Sequence, residues 1–363
     1  MISRTSREAR PTLALVGASG AVGSVVLRML SQRADVWGEI RLVASSRSAG
    51  RKLAVRGEHV AVRPIGPDVF NGVDVAVFDV PDDVAALWAP VAASRGAVVV
   101  DNSGAFRANL EVPLLVPGVN PAQARVRPLG VVASPSASTL AMIEALGALH
   151  HGWQLTGLVL ATYQAASGAG RAGIEQLHDE LTVVAGNRGL GQQAGDVRAT
   201  VRDKLGDSSP FPAPLALNVV PWVGALGDAG WTSEEEGIRL EARRILGAPD
   251  LAVSATCVQV PVPTGHSVAV HATFGRPITV EAARQALVEA PAVVVLDDPE
   301  SREFPTPIDI VGSDPAFVGR LRQAPDFPHT LEMFICGDNL RQGCALNAVR
   351  VAELLAAELA EAA

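Results

Sequence analysis

Aromatic side chains make up only 4% of the 363 residues. Such a chain has few of the stacking platforms on which single-stranded nucleic acids are held. Positive charge is in the minority as well: the formal net charge is -8, the sequence pI is about 5.4, and Lys and Arg are scattered without a basic run. That balance excludes an electrostatic nucleic-acid surface. Cysteine is limited to Cys257, Cys336 and Cys344. Their odd number and their spacing fit neither a disulfide framework nor a zinc site, and they read as buried, reduced thiols of a cytoplasmic protein. His150, His151, His178, His271 and His329 have no metal-type partners in the sequence, so no metal is expected. The apolar run at Thr12–Val16 is far too short to cross a bilayer and ends in glycines. The opening MISRTSREARP is polar and basic, with no signal-type apolar stretch or cleavage site behind it. Residues 1–10 are expected to be a frayed tail. No internal repeat and no low-complexity segment interrupts the chain.

What remains is 48% hydrophobic and 19% charged, the balance of a globular protein, in a chain long enough for two domains. Short apolar strands are predicted at Leu13–Val16, Ile40–Ala44, Val73–Val77 and Ala97–Val100, alternating with helical periodicity. That alternation implies a parallel sheet covered on both faces. The pattern changes after about residue 135. Longer Val- and Thr-rich strands are predicted at Gly157–Thr162, Ala252–Val262 and Ser267–Phe274, the last two joined by the tight turn PTGH. This reads as an α+β domain with a mostly antiparallel sheet. Segment 186–215 reads as a long surface excursion, and Ala345–Leu359 as an amphipathic helix that packs back on the first domain. The fold class is therefore α/β. A Rossmann-type doubly wound parallel sheet spans 1–135, completed by the C-terminal segment 336–363, and a second, α+β domain spans 136–335.

The first strand runs into GASGAVG and then a helix, the context that makes a glycine motif informative. Gly17 permits the tight bend, Gly20 admits a pyrophosphate close to the backbone, and Gly23 allows close helix–strand packing. The helix start supplies N–H groups and the positive dipole end to the phosphates. After the second strand, where an acidic residue would hold the ribose hydroxyls of NAD, stand Ser45, Ser46, Arg47 and Ser48. An arginine among serines suits a 2′-phosphate, so NADP(H) is the expected cofactor.

The segments GASGAVG, SSRSAG, DNSGAFR, TYQAASGAG, NVVPWVG, SATCVQVPVPTGH and DNLRQGCALNAV together resemble the aspartate-β-semialdehyde dehydrogenase family. They follow the family's order and spacing from about residue 12 to 358. The resemblance implies a Rossmann domain, a central domain for catalysis and dimerisation, NADP, and a cytoplasmic homodimer or homotetramer in amino-acid metabolism. It implies that Gly17, Ser19, Gly20, Ala21, Val22, Gly23, Ser45, Arg47, Ser48, Ser167, Gly168 and Asn339 hold the cofactor, Asn339 near the nicotinamide. It places His266 as acid and base and Gln164 beside it. Arg107, Glu241, Gln259 and Ser136 fall on positions that bind substrate.

Several positions depart from the family pattern. The nucleophilic cysteine falls on Ala137, and its asparagine neighbour on Ser136. The arginine that pairs with the substrate carboxylate falls on Gln259. The lysine that helps bind phosphate falls on Gly237, and the glutamate of the VPEVNP segment on Gly118. Alanine cannot form a thioester, and glutamine cannot replace a charged bidentate partner. Ser136 and Ser138 flank the missing thiol and are expected to cap the following helix. Three readings stay open. One is an NADP(H)-dependent oxidoreductase that passes hydride directly to a different polar carbonyl or imine, with His266 as proton donor. The others are an inactive NADP-binding homologue and a non-redox enzyme on the same scaffold.

Overall fold

A computed structural model describes residues 10–33 and 36–362; residues 1–9 of the expected frayed tail lie outside them. The chain forms two compact units. One comprises the described residues up to Ser136 with Arg244–Gly247 and the chain from Gly343 on, and the other comprises Ala137–Arg243 and Ala248–Gln342.

The first unit is built on β1 (Leu13–Val16), β2 (Ile40–Ala44), β5 (Arg63–Pro64), β6 (Val75–Phe78), β7 (Val98–Asp101) and β8 (Val131–Ala133), with β3 (Lys52–Val55) and β4 (Glu58–Ala61) as a separate hairpin. The six strands run in the order β5-β2-β1-β6-β7-β8, and every pairing is parallel. All residues of β1, β2 and β6 are buried; β1 and β6 are continuous apolar runs rather than alternating ones, and β2 is one but for Arg41, whose guanidinium bonds to Glu39 and the Val69 carbonyl. Helices α1 (Ala21–Gln32) and α2 (Asp82–Ser94) follow β1 and β6. The C-terminal helix, Asn347–Ala362, packs on β6, β7 and α1. Arg33–Glu353 at 2.5 Å and Arg127–Glu358 at 2.8 Å tie its polar side down. The sequence pattern did not reveal the β3–β4 hairpin, whose two-residue loop puts Arg56 at φ 52° and Gly57 at φ 77°. Two positive φ values match the twist of a hairpin. Arg56 holds its place through side-chain bonds to the carbonyls of Trp37 and Gly38.

The second unit opens with α3 (Ala137–Trp153), which is apolar over most of its circumference and packs on β9, β11, β13 and β14. The strands are β9 (Leu155–Gln164), β10 (Ala252–Gln259), β11 (His266–Phe274), β12 (Val293–Val295), β13 (Ala316–Gln323) and β14 (Thr330–Gly337). Their order is β10-β9-β11-β14-β13-β12. Three pairings are antiparallel and two, β9–β10 and β12–β13, are parallel. The expected hairpin between the two strands around PTGH is corrected here: β9 lies between β10 and β11. The backbone of Val260–Pro263 hydrogen-bonds to Gln164–Ser167, just past the end of β9, and so carries the chain across that strand to its far edge. Pro261 and Pro263 have no N–H with which to continue the ladder.

Helices α4 (Gly170–Val184), α5 (Asp196–Leu205), α6 (Ser233–Leu246) and α7 (Val280–Glu289) complete this unit, the last residues of α6 belonging to the first. The expected excursion at 186–215 instead contains α5 and buried Val201, Phe211 and Leu215. Its physical anchor is Glu180 of α4, fully buried, which accepts the N–H of Leu215 at 2.7 Å and of Ala216 at 3.0 Å. Removing a buried acceptor leaves both donors unsatisfied. Glu180→Ala is expected to lower unfolding stability by roughly 2–4 kcal/mol in urea titrations, whereas a loss within error would mean that the segment is held by its apolar contacts alone.

Candidate active site

In the first unit the glycine turn links β1 to α1. Gly17 has φ 96°, and a Cβ there would stand 1.9 Å from the carbonyl oxygen of Asp79. A Cβ on Gly23 would stand 2.4 Å from the Gly17 carbonyl oxygen. Both positions admit glycine alone, one through backbone handedness and close approach, the other through helix–strand packing. Gly20 is the N-cap of α1 and brings no side chain to it. Ala21 and Val22 form the first turn of the helix, half-buried.

The chain beyond β2 bends back over this turn. Ser45 is extended, Ser46–Ser48 form a single 3-10 turn, and the Ser19 hydroxyl meets the Ser48 hydroxyl at 3.1 Å. Arg47 is exposed on that turn. The predicted set Gly17, Ser19, Gly20, Gly23, Ser45, Arg47 and Ser48 is thus gathered at one end of the parallel sheet. A further residue stands there that the sequence reading did not single out: Asp79, directly after β6, with its Oδ2 3.6 Å from where a Gly20 Cβ would be. Its signal in the sequence was the acidic run Asp79, Asp82 and Asp83 closing a parallel strand.

Arg107, also in the first unit, donates from Nε to the Ser134 carbonyl at 2.9 Å and from a terminal nitrogen to the Asn102 carbonyl at 2.7 Å. It fixes the loop after β7 against the end of β8. Ser136, buried, immediately precedes α3. Ser138 does not cap that helix as expected: its hydroxyl is buried with no hydrogen-bond partner among the described residues. It sits one residue inside the helix, facing the packed interior.

In the second unit, His266 opens β11 and is 2% exposed. Its Nδ1 accepts the N–H of Ala165 at 3.1 Å, which leaves the ring proton on Nε2. Burial pushes the imidazole pKa down to about 3. In this setting His266 is a neutral Nε2–H donor. A Cβ on Gly168 would touch the ring at 3.6 Å from Cε1, so glycine keeps this side of the imidazole open. Ser167 and Asn339 exchange hydrogen bonds at 3.0 and 2.9 Å, and Asn339 Oδ1 also accepts the Gly265 N–H at 2.9 Å. The turn before His266, the turn after β9 and the chain after β14 are thereby locked together.

Gln164 ends β9, and its amide nitrogen reaches Thr162 Oγ1 at 3.2 Å and Glu234 Oε1 at 3.3 Å. Glu241 lies on α6, 1% exposed. Gln259 ends β10 and pairs through its backbone with Val220. Its Oε1 is buried with no partner among the described residues, an acceptor with a vacant lone pair. Gly237, on α6, has open space where its side chain would be. Ala137 is the first residue of α3.

No residue in this set supplies a thiolate. Burial raises the Cys257 thiol to about 12 and the Cys336 thiol to about 11, so both are inert packing groups. No group of three His, Cys, Asp or Glu side chains suited to a metal ion occurs among the described residues. No helix among them is long and apolar enough to cross a membrane.

The neutral imidazole carries a pH signature. Below about pH 6.5 the unfolded chain takes up a proton that the folded ring refuses until about pH 3. Stability is thus fully present above 6.5 and lost as pH falls, by about 1.4 kcal/mol per pH unit. Urea titrations down this range are expected to show a decline steeper by that amount in the wild type than in His266→Gln; parallel declines would refute it.

Known proteins resemble this arrangement along nearly its whole length. Residues 12–126 match the family model of the semialdehyde dehydrogenase NAD binding domain, and residues 146–342 that of the semialdehyde dehydrogenase dimerisation domain. The chain is 41% identical to the aspartate-semialdehyde dehydrogenase of Streptomyces akiyoshiensis, over 95% of this chain and 98% of that one. It is 36% identical to that of Bacillus subtilis, over 94% and 96%. The solved structure of aspartate semialdehyde dehydrogenase II from Vibrio cholerae, in complex with ASA, superposes with a TM-score of 0.87 at 32% identity, over 95% of this chain and 98% of that one. With both family domains matched in order, the chain belongs to the semialdehyde dehydrogenase family of oxidoreductases.

Proposed function

We propose that this chain is an NADP(H)-dependent oxidoreductase that works without a covalent acyl-enzyme, on a polar carbonyl or imine substrate other than aspartyl phosphate. The observation that carries this reading is the contrast between the two units. The first keeps the glycine turn and the Ser45–Ser48 turn. The second keeps a fixed Nε2–H donor at His266 but has Ala137 where the family resemblance places the thiol. A dinucleotide held at Gly17–Gly23 with its 2′-phosphate at Arg47 would supply the hydride. His266 donates its Nε2 hydrogen bond to the substrate oxygen or nitrogen, polarising the carbon and steadying the charge that develops there. The proton this atom finally carries comes from solvent, and the ring stays neutral throughout.

Gln259 supports a changed substrate. A neutral amide in place of the carboxylate-binding arginine has no charge to offer an acid, and its unpartnered Oε1 favours a substrate with a hydrogen-bond donor at that point. Buried Glu241 suits an amino group. The dimerisation-domain match supports a homodimer through the second unit, where Val159 and Tyr163 of β9 are exposed. The reduced, buried state of Cys257 and Cys336 suits a cytoplasmic setting. A second reading, cofactor binding without turnover, is favoured by Gln164, whose amide nitrogen is already engaged by Thr162 and Glu234.

Phosphate-dependent NADPH formation from aspartate semialdehyde is expected to fall at least about a thousandfold below that of a cysteine-bearing relative. Ala137→Cys alone should leave it there, because Gln259 and Gly237 still lack charge; a normal rate in the wild type would end this reading. Among candidate carbonyls and imines reduced with NADPH, a true substrate should lose on the order of 100-fold or more in kcat with His266→Gln. If no substrate depends on His266, binding without turnover stands instead. Arg47→Ala is expected to lower the preference for NADPH over NADH by about tenfold, read from the two dissociation constants.

A further inference from the structure

Asp79 has no part in the dinucleotide reading, yet it stands inside the glycine turn. Its backbone N–H bonds to the Val16 carbonyl at 2.8 Å, which places the residue beside the last position of β1. Its carboxylate lies over Gly20, the glycine whose missing side chain opens the turn to a phosphate: Oδ2 is 3.6 Å from the Cβ position there. The same carboxylate interacts with the N–H of Gly23. Gly23 is the third residue of α1, and the N-cap, Gly20, supplies no side chain. Asp79 thus does from another strand what an N-cap side chain would do, placing an anion on the free N–H groups at the positive end of the helix.

The charged groups around Asp79 are mostly acidic. Asp101, at the end of β7, acts on it directly and is itself held by the Ser103 N–H at 3.1 Å and hydroxyl at 2.8 Å. Asp82, at the start of α2, accepts the Gly104 N–H at 2.8 Å. The charge of Arg107 acts on Asp101 rather than on Asp79. Arg47 is exposed on the neighbouring 3-10 turn. A diphosphate bound at the N–H groups of α1 would bring like charge beside this carboxylate in a part-buried place.

We propose that the Asp79 carboxylate is an internal competitor for the dinucleotide diphosphate: ionised it holds the N-terminus of α1, and protonated it releases those N–H groups, so that dinucleotide binding takes up a proton. Asp79 is then the residue that sets how tightly, and at what pH, the cofactor is held. The proposal rests on the dinucleotide reading of the turn. Burial, with a smaller push from Asp101, raises the carboxyl from its ordinary 3.8 to about 6, which places the change within reach of neutral pH.

The test titrates NADP+ into wild type, Asp79→Asn and Asp79→Ser by calorimetry from pH 5 to pH 8.5. Taking the difference between variant and wild type removes the titration of the 2′-phosphate itself, whose pKa is also about 6. Relative to either neutral variant, the wild-type Kd is expected to rise by up to about tenfold per pH unit above 6. At pH 8 both variants should bind at least about tenfold tighter than wild type. In buffers of different ionisation enthalpy, wild type should take up about one more proton than Asp79→Asn near pH 7.5. Equal affinities and parallel pH profiles in all three proteins would overturn the proposal and leave the dinucleotide reading intact. No binding by any of them at any pH would overturn both.

Discussion

The backbone of Gly17 passes so near the end of β6 that a single methyl group there would overlap the Asp79 carbonyl oxygen. Much of the first unit follows from that close approach. It sets the turn between β1 and α1 against the chain that leaves β6, the strand paired with β1. It brings Gly23 against Gly17 and the helix against the strand. It also brings a carboxylate to the free end of that helix. The feature that makes the turn a dinucleotide site and the feature that opposes a phosphate there arise from the same juxtaposition.

In the second unit the comparable constraint is the strand order. Because β9 stands between β10 and β11, the ends of β9, β10 and β14 and the start of β11 converge. That convergence is what puts the Ala165 N–H on His266 and Asn339 on the turn before it. A simple hairpin would have left the imidazole at the tip of a solvent-exposed loop. Instead the ring is enclosed, neutral and fixed in one tautomer, suited to donating a hydrogen bond and not to holding a charge.

The electrostatics of the two units point the same way as the missing thiol. Cys257 and Cys336 are buried and lifted far above neutral pH, whereas Cys344, expected to be buried as well, is only half-buried; Gln259 is uncharged, and Gly237 leaves space without a side chain. Acyl transfer needs a thiolate and cations around an acid and a phosphate. A hydride acceptor needs no thiolate, only a hydrogen-bond donor that polarises it, and neutral His266 is of that kind.

The parallel sheet of the first unit was legible in the chain itself. β1 and β6 run as uninterrupted apolar segments, and a glycine turn between strand and helix has few other uses. Gly17, Gly20, Ser45–Ser48, His266 and Asn339 were likewise visible as residues of chemical promise, and Ala137 as a loss. Other features were not legible, because they depend on what lies opposite in space. Nothing local says that Val260–Pro263 would cross β9, that Glu180 would reach the backbone of Leu215, or that Ser138 would be left without a partner. Composition and periodicity determined the α/β class, the place of the turn and the candidate side chains, since those follow from local geometry and burial. The tertiary structure alone decided the protonation of His266 and the position of Asp79 over Gly20, since desolvation and charge proximity come from groups far away in the sequence.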